Sequence, residues 1–442
     1  MRSMDTVIPL ARWRWRATAG AAIIVALAIA GLGGVHAWAW APLLVVACGG
    51  VSVLLIACAW RGMPLPWSWM LVPALAFFAM AVWQWLGHAT VAPALTLTGI
   101  LQLALPGAVF YLALFGAQSR RSSRWAARFV WAATGVLAGE AIFQYFTASG
   151  YIYWFRDATY GTPVGPFVYH NHFAGCMLLL LPVAVVVAFR RDRSGDAPWV
   201  GWIRRGLVPA LGAAALVISQ SRGGVLAALG EGGIGLLVLW RPWRAQKRRL
   251  FAGTVGVALL FAFVYMANLQ PLWNRFAQLA HHDPSATERV RMAQSSWDIF
   301  RDHPWTGTGW ETFAAIYPRY ARFDSGLQVD HAHDEYLQTL SEMGVMGAVL
   351  VLAFLALYLY GTWQRWRALA GYDRTICLAA CVGTLGFLAQ SAVDFEFHAP
   401  ANAILFFICC ALAAAPIKAS QDPDRTGTSR SDFEASRPIA LG

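Results

Sequence analysis

Apolar stretches about twenty residues long, the length that spans a bilayer as a helix, recur along almost the whole chain. That one feature removes most folds from consideration. In hydrocarbon each backbone N–H and C=O must be satisfied within its own segment, so such runs read as helices and not as open sheets. Of the 442 residues 58% are hydrophobic and only 13% charged, with a mean hydropathy of +0.50, which excludes an ordinary soluble protein. The expected architecture is an all-α polytopic membrane protein of about twelve transmembrane helices. They begin near Ala17, Pro42, Trp67, Thr98, Ala126, His172, Gly206, Gly223, Phe251, Gly344, Arg374 and Ala399.

Charge gives the orientation, because Lys and Arg beside a span stay on the cytoplasmic side. With both termini in the cytoplasm, most of the 34 basic residues fall there. The far side keeps Arg156, Arg222, Arg275, Arg289, Arg291, Arg301, Arg319 and Arg322. All 10 histidines, from His36 to His398, and more than half of the 23 acids fall in far-side loops or at far-side span ends. A titratable cluster on one face marks that face as the working one. The net charge of +11 then follows from topology. No basic run is interleaved with aromatics in a soluble domain, so no nucleic acid is expected as a partner.

The 7 cysteines sit in or beside apolar spans and imply neither a disulfide framework nor a thiolate zinc site. Arginines precede the apolar run from Ala17 to Val35, which exceeds a signal-peptide core and reads as a retained first span. Residues 1–416 form the expected transmembrane domain, with a far-side loop over 268–343 between the ninth and tenth spans. Residues 417–442, rich in Ser, Asp, Arg and Pro, are expected to be a disordered cytoplasmic tail. No internal repeat is visible, and Glu140 and Glu231 are the mid-span ionisable residues. Both points weigh against a transporter or flippase for a glycolipid, which is the alternative class.

The polar loop from Asn268 to Met343 is where chemistry is expected. Ser285-Ala-Thr-Glu288 is a capping box. It opens a helix with Val290, Ala293, Trp297 and Phe300 on one face, suited to lying along the membrane lipids. Arg289 and Arg291 on it serve as interfacial anchors or as anion ligands. Farther on, His331-Ala-His333-Asp334-Glu335 leads into a helix and the span at Gly344. A histidine there is suited to take a proton from a hydroxyl near neutral pH. Two other readings stand beside it. One is an interfacial histidine without a role. The other is a metal site from His331, His333 and Asp334, with His281, His282 or Asp283, which no thiol or second ligand pair supports.

Arg222 occupies a short hairpin between two spans, followed by Gly223 and Gly224. It is paired structurally, for instance with Glu140, or it holds something anionic. Its planar fork fits phosphate oxygens, and the glycines allow close backbone approach. A base, two or three arginines and a lipid-facing helix on one side of the membrane suit transfer of a group from a lipid-linked pyrophosphate to a hydroxyl.

At these residues the chain resembles the bacterial O-antigen ligase and polymerase superfamily. The segment Gly165-Pro-Phe-Val-Tyr-His-Asn171-His-Phe-Ala174 looks like the motif opening the span before the arginine hairpin. Arg222 to Leu226 fits Arg-x3-Leu, Arg289 precedes His303-Pro304-Trp-Thr-Gly307-Thr-Gly309, and His333 with Gly344 fits His-x10-Gly. The resemblance implies an inverting, metal-independent glycosyltransferase with no cofactor, in the bacterial inner membrane with its site facing the periplasm. The donor it implies is a glycan on undecaprenyl pyrophosphate. It gives Arg222 and Arg289, with Arg291 as an additional candidate, to the pyrophosphate and His333 to the acceptor hydroxyl. His331, Asp334, Asn171 and Gly344 are supporting positions. Asp334 departs from the family's frequent Asn. Lipid A core is the favoured acceptor, as for a ligase; a second lipid-linked glycan, as for a polymerase, is the alternative. A pilin-type oligosaccharyltransferase is less favoured, since those commonly extend farther past the last span.

Overall fold

A computed structural model describes residues 4–157, 163–190, 198–244, 284–323, 326 and 328–417. Among them the structure is helical, with no strand beyond two isolated bridges, Ile152 with Arg156 and Val164 with Phe167. In chain order the α-helices are α1 (Met4–Ala30), α2 (Ala37–Arg61), α3 (Leu71–Leu86), α4 (Pro93–Ala117), α5 (Arg120–Thr147), α6 (His170–Ala188), α7 (Pro198–Ile218) and α8 (Arg222–Arg244). They continue with α9 (Pro284–Asp302), α10 (Phe313–Ile316), α11 (Glu335–Ala368), α12 (Gly371–Gln390) and α13 (Pro400–Ala414).

A helix meets every expected span start except the one near Phe251, which lies outside the described residues, as do the tail and the pair His281-His282. Among the described residues seven helices are long and apolar enough to cross a membrane: α1 over Leu10–Ala30, α2, α4, α5, α6, α11 and α12. The shorter apolar ones are α3, the Gly206–Ile218 part of α7, and α13.

The core forms around α6, which packs against α5, α7, α8, α12 and α13. Both α6 and α13 are apolar on every face, and both are buried nearly throughout, as an all-round hydrophobic helix must be. At 15 residues α13 is only about 22 Å long. The segment Ser391–Ala399 covers its N-terminal end, and that segment carries much of the site.

A joint of crossing backbones helps tie the polar loop to the bundle. α11 runs through Gly344 with φ 61° and ψ −164°, a conformation that interrupts its hydrogen-bond ladder. The Pro304 and Trp305 carbonyls enter the break, accepting from Val345 (2.8 Å) and Met346 (3.2 Å). Thr308 and Gly309 donate in turn to the Ser341 and Glu342 carbonyls, each at 3.0 Å. Gln84 of α3 closes the joint from its other side, donating to Thr306 O (2.7 Å) and Glu342 O (3.0 Å) and accepting from Trp310 N (3.0 Å). A Cβ at Gly344 would stand 2.4 Å from the Trp305 carbonyl carbon, and one at Gly307 would stand 2.2 Å from that of Glu342. Both positions also have positive φ, so glycine is required twice over. Gly344, expected as a supporting position, lies at this crossing of backbones.

Beside the joint, α9 lies against α11. Its protein-facing residues are Met292, Ser295, Ser296 and Ile299, which bury with Phe313, Ile316, Tyr317 and Ala332. The face expected to meet lipid is the outer one, with Val290 57% and Trp297 48% exposed.

Candidate active site

Asp394, in the turn between α12 and α13, is the point on which the site converges. Its side chain is 2% exposed, and buried carboxylates demand partners. His333 Nδ1 lies 3.2 Å from Oδ1, and the Phe395 N–H donates to the same oxygen at 3.0 Å. Arg289 Nη2 lies 3.7 Å from Oδ2, to which Asn171 Nδ2 also donates closely. Burial pushes the Asp394 carboxyl up, but the hydrogen bond and charge of His333, with the charges of Arg289 and His172, outweigh it and hold the group below its ordinary value.

That arrangement assigns the protons. An ionised carboxylate only accepts, so Nδ1 of His333 carries a hydrogen, and in the neutral ring it is Nε2 that holds the lone pair. The histidine is a base by geometry. Its side chain is 25% exposed, and its backbone sits at φ +52°. The left-handed conformation costs a non-glycine residue about 1–2 kcal/mol, and such strain gathers where a side chain must be aimed. The chain then enters α11 at once. Asp334 caps it, with Oδ1 accepting from Tyr336 N (2.9 Å) and Leu337 N (3.0 Å). Asn serves this position equally well, which gives a physical reason for the departure from the family pattern.

The two loop arginines separate by helix angle. Arg289 shares the inward face of α9 with Met292, Ser296 and Ile299, at spacings of three or four. It reaches Asp394 and hydrogen-bonds Tyr169. Arg291, two residues on, faces the other way and is exposed. Asn171 at the start of α6 also donates to the Tyr169 hydroxyl at 2.9 Å.

Arg222 is the first residue of α8. Ser221 Oγ accepts from Gly224 N at 3.2 Å, and His170 Nδ1 donates to the Ser219 carbonyl at 2.8 Å, tying the turn to α6. A Cβ on Gly223 would meet Val393 at 3.1 Å, and one on Gly224 would meet Ala174 at 2.6 Å. The arginine turn is thus seated against α6 and against the residues immediately before Asp394. Glu140, the alternative partner for Arg222, keeps both carboxylate oxygens buried without a hydrogen bond among the described residues.

A second imidazole lies deeper. His398 places Nδ1 3.2 Å from Glu335 Oε1 and Nε2 3.3 Å from Glu311 Oε1, with its side chain 6% exposed. Burial opposes its protonation, but the two carboxylates prevail and hold it well above its ordinary value. His331 lies between the two ends, stacked on Phe395 at 4.6 Å and 4.2 Å from the His398 ring. Burial, with the charges of His398, His172 and His333, pushes it well below its ordinary value, so it is neutral.

Among the described residues Glu311, His331 and His398 bring their ligand atoms within 4.8 Å of one another and form a group that could hold a metal. This differs from the set His331, His333 and Asp334 considered above, since Asp334 is committed to its cap. The donor chemistry fits poorly, because an imidazolium clamped at both nitrogens has no lone pair for a metal. A cavity of about 510 Å³ opens beside this group, lined by His333, His331, His398, Glu311 and Phe395 among others.

Residues 207–352 match a family model described as O-antigen ligase. The match covers about a third of the chain and supports its resemblance to the O-antigen ligase and polymerase superfamily. The matched region runs from α7 into α11 and holds Arg222, Arg289, His333 and Gly344. A ligase-family domain implies a glycosyltransferase-type enzyme with lipid-linked glycan substrates, and the apolar helices imply a multi-pass membrane protein. No curated protein matches the chain.

Asp394, Asn171 and Tyr169 lie outside the matched region. Asn171 is an expected supporting position and Glu335 ends an expected motif; Asp394, Tyr169, Phe395, Gln338 and His398 carry no role in the sequence reading. The available signal was Asp394-Phe-Glu396-Phe-His398, two acids and a histidine between the last two apolar segments.

Proposed function

We propose that the protein moves a glycan from undecaprenyl pyrophosphate to a sugar hydroxyl in the periplasmic leaflet of a bacterial inner membrane, with lipid A core as acceptor. The observation that carries this reading is the buried Asp394 carboxylate shared by His333 and Arg289. It fixes a base and a phosphate-type cation side by side. Arg222, at the N-terminus of a helix seated against the same segment, supplies a second fork and the favourable end of a helix dipole.

The reaction is a single displacement with inversion. Nε2 of His333 takes the acceptor hydroxyl proton as that oxygen bonds to the donor's anomeric carbon. The bond from that carbon to the pyrophosphate oxygen breaks, and the electron pair leaves with the lipid pyrophosphate. Arg222 and Arg289 stabilise the departing charge. Asp394 stabilises the imidazolium as it forms, in the manner of the third member of a hydrolase triad. Because arginines supply the cationic charge, the step needs no metal. On this reading both termini are cytoplasmic, twelve spans cross the membrane, and loop 268–343 is periplasmic.

The ligase reading is favoured over a polymerase by the fit of the arginine and His-x10-Gly pattern. Reconstitution with a polyprenyl-pyrophosphate glycan and two competing acceptors, lipid A core and a second lipid-linked repeat, tests it. Transfer to the core is expected. Transfer only to the lipid-linked repeat makes the protein a polymerase, and export of the donor without transfer makes it a transporter. Activity should survive EDTA; loss that a divalent ion restores would revive the metal site at Glu311, His331 and His398.

A further inference from the structure

The cavity beside His333 has a chemical character that the transfer reaction alone does not explain. Its volume, about 510 Å³, is within the usual range for a small-molecule site. Glu288 of α9, Glu311 before α10 and Asp330 beside His331 bring three carboxylates to its wall. Gln102 and Gln328 add amides, and Phe323 and Phe395 add aromatic rings. Among the described residues no lysine or arginine lines it. Its cation is the His398 imidazole, already clamped between Glu311 and Glu335. Arg289 lies nearby but is engaged with Asp394 and Tyr169. The cavity lining is therefore anionic, with His333 at its edge and Arg289 held outside it on Asp394.

Resting on the reading of His333 as the base, we propose that this cavity is the acceptor subsite, and that it selects an uncharged or amino sugar and rejects an acidic or phosphorylated one. Carboxylates and side-chain amides accept and donate to paired sugar hydroxyls, while aromatic rings cover the C–H face of a pyranose. The same carboxylates repel a uronate or a phosphate monoester. A pyrophosphate donor is turned toward the arginines for the same reason. The division of charge both sorts the two substrates and orients them about His333.

Wild-type protein in nanodiscs without donor isolates binding from transfer. The probes are a neutral hexose trisaccharide and the matching trisaccharide ending in its uronic acid, titrated by calorimetry or saturation-transfer NMR. The neutral sugar is expected to bind at least about tenfold more tightly. The double variant Glu288→Gln with Asp330→Asn, two exposed positions, is expected to narrow that ratio several-fold, chiefly by improving uronate binding. Equal or tighter binding of the uronate, binding of neither sugar, or an unchanged ratio in the variant overturns the subsite. A parallel assay with lipid-linked donor keeps the two ideas apart. Transfer without charge preference defeats only the subsite, whereas no transfer to any acceptor defeats the catalytic reading.

Discussion

Two imidazoles stand at opposite ends of one histidine cluster, and their carboxylate partners put them to different uses. At His333 one carboxylate meets one ring nitrogen, and that carboxylate is shared with Arg289 and Asn171. The second nitrogen stays available. At His398 two carboxylates meet both nitrogens, and Gln338 lies 3.2 Å from the ring as well. Nothing is left over for a substrate. The first ring is poised to exchange a proton; the second is a fixed cation pinning the pre-α10 loop, the start of α11 and the segment before α13 together. The number of carboxylates per imidazole, more than its place in the histidine cluster, separates a base from a pillar.

The largest effect that would sharpen the contrast is Asp394→Asn. It preserves shape but removes the charge that fixes the His333 tautomer, and a fall in transfer of about 10³–10⁴ is expected with the protein still folded. His398→Gln should do the reverse: a loss of stability of about 3 kcal/mol, because buried Glu335 and half-buried Glu311 lose their counter-charge, with a smaller loss of transfer. Measuring both quantities on both variants breaks the comparison if the two profiles coincide. Next in size, Arg222→Lys and Arg289→Lys keep charge and lose the fork. Each is expected to lower transfer about 10–100-fold, while Arg291→Lys, on the outward face of α9, stays near wild type. Full activity in the first two removes the clamp.

The smallest effect is on pH. His398 titrates above its ordinary 6.5, so its contribution to stability is complete below that value and is lost as pH rises through the folded value. Burial pushes Glu396 well above its ordinary value too, with the charges of Asp394 and Glu335 adding to the effect, and this acts in the same direction. Asp394 is depressed, so its contribution is present at neutral pH and fades only in acid. The unfolding temperature in detergent should therefore decline from neutrality upward, and His398→Gln should flatten part of that decline. A wild-type curve level across the alkaline range contradicts the pillar.

The helices were legible because apolar length is a local property, written in consecutive residues. Arg222, Arg289 and His333 stand out as candidates for a related reason: each belongs to a short polar motif set against an apolar background. Asp394 was not, since what gives it meaning is contact with Asn171, Arg289 and His333 from three distant parts of the chain. α9 taught a second lesson. Its apolar stripe, Val290 with Trp297, faces outward, and Ser295 and Ser296 face the protein. Beside lipid the apolar side need not be the buried one, so periodicity located the helix and its outer face but not the residues that Arg289 shares its inner face with. The choice between Arg289 and Arg291 was likewise a matter of helix angle relative to a neighbour. Two glycines, Gly307 and Gly344, looked like motif punctuation and proved to be one crossing point.

The most direct test is single-turnover transfer by purified His333→Ala in proteoliposomes loaded with polyprenyl-pyrophosphate glycan, with lipid A core as acceptor and wild type alongside. The account predicts a rate lower by at least about a hundredfold, with donor binding and unfolding temperature close to wild type. A variant that transfers glycan within about twofold of the wild-type rate would mean that proton removal happens elsewhere.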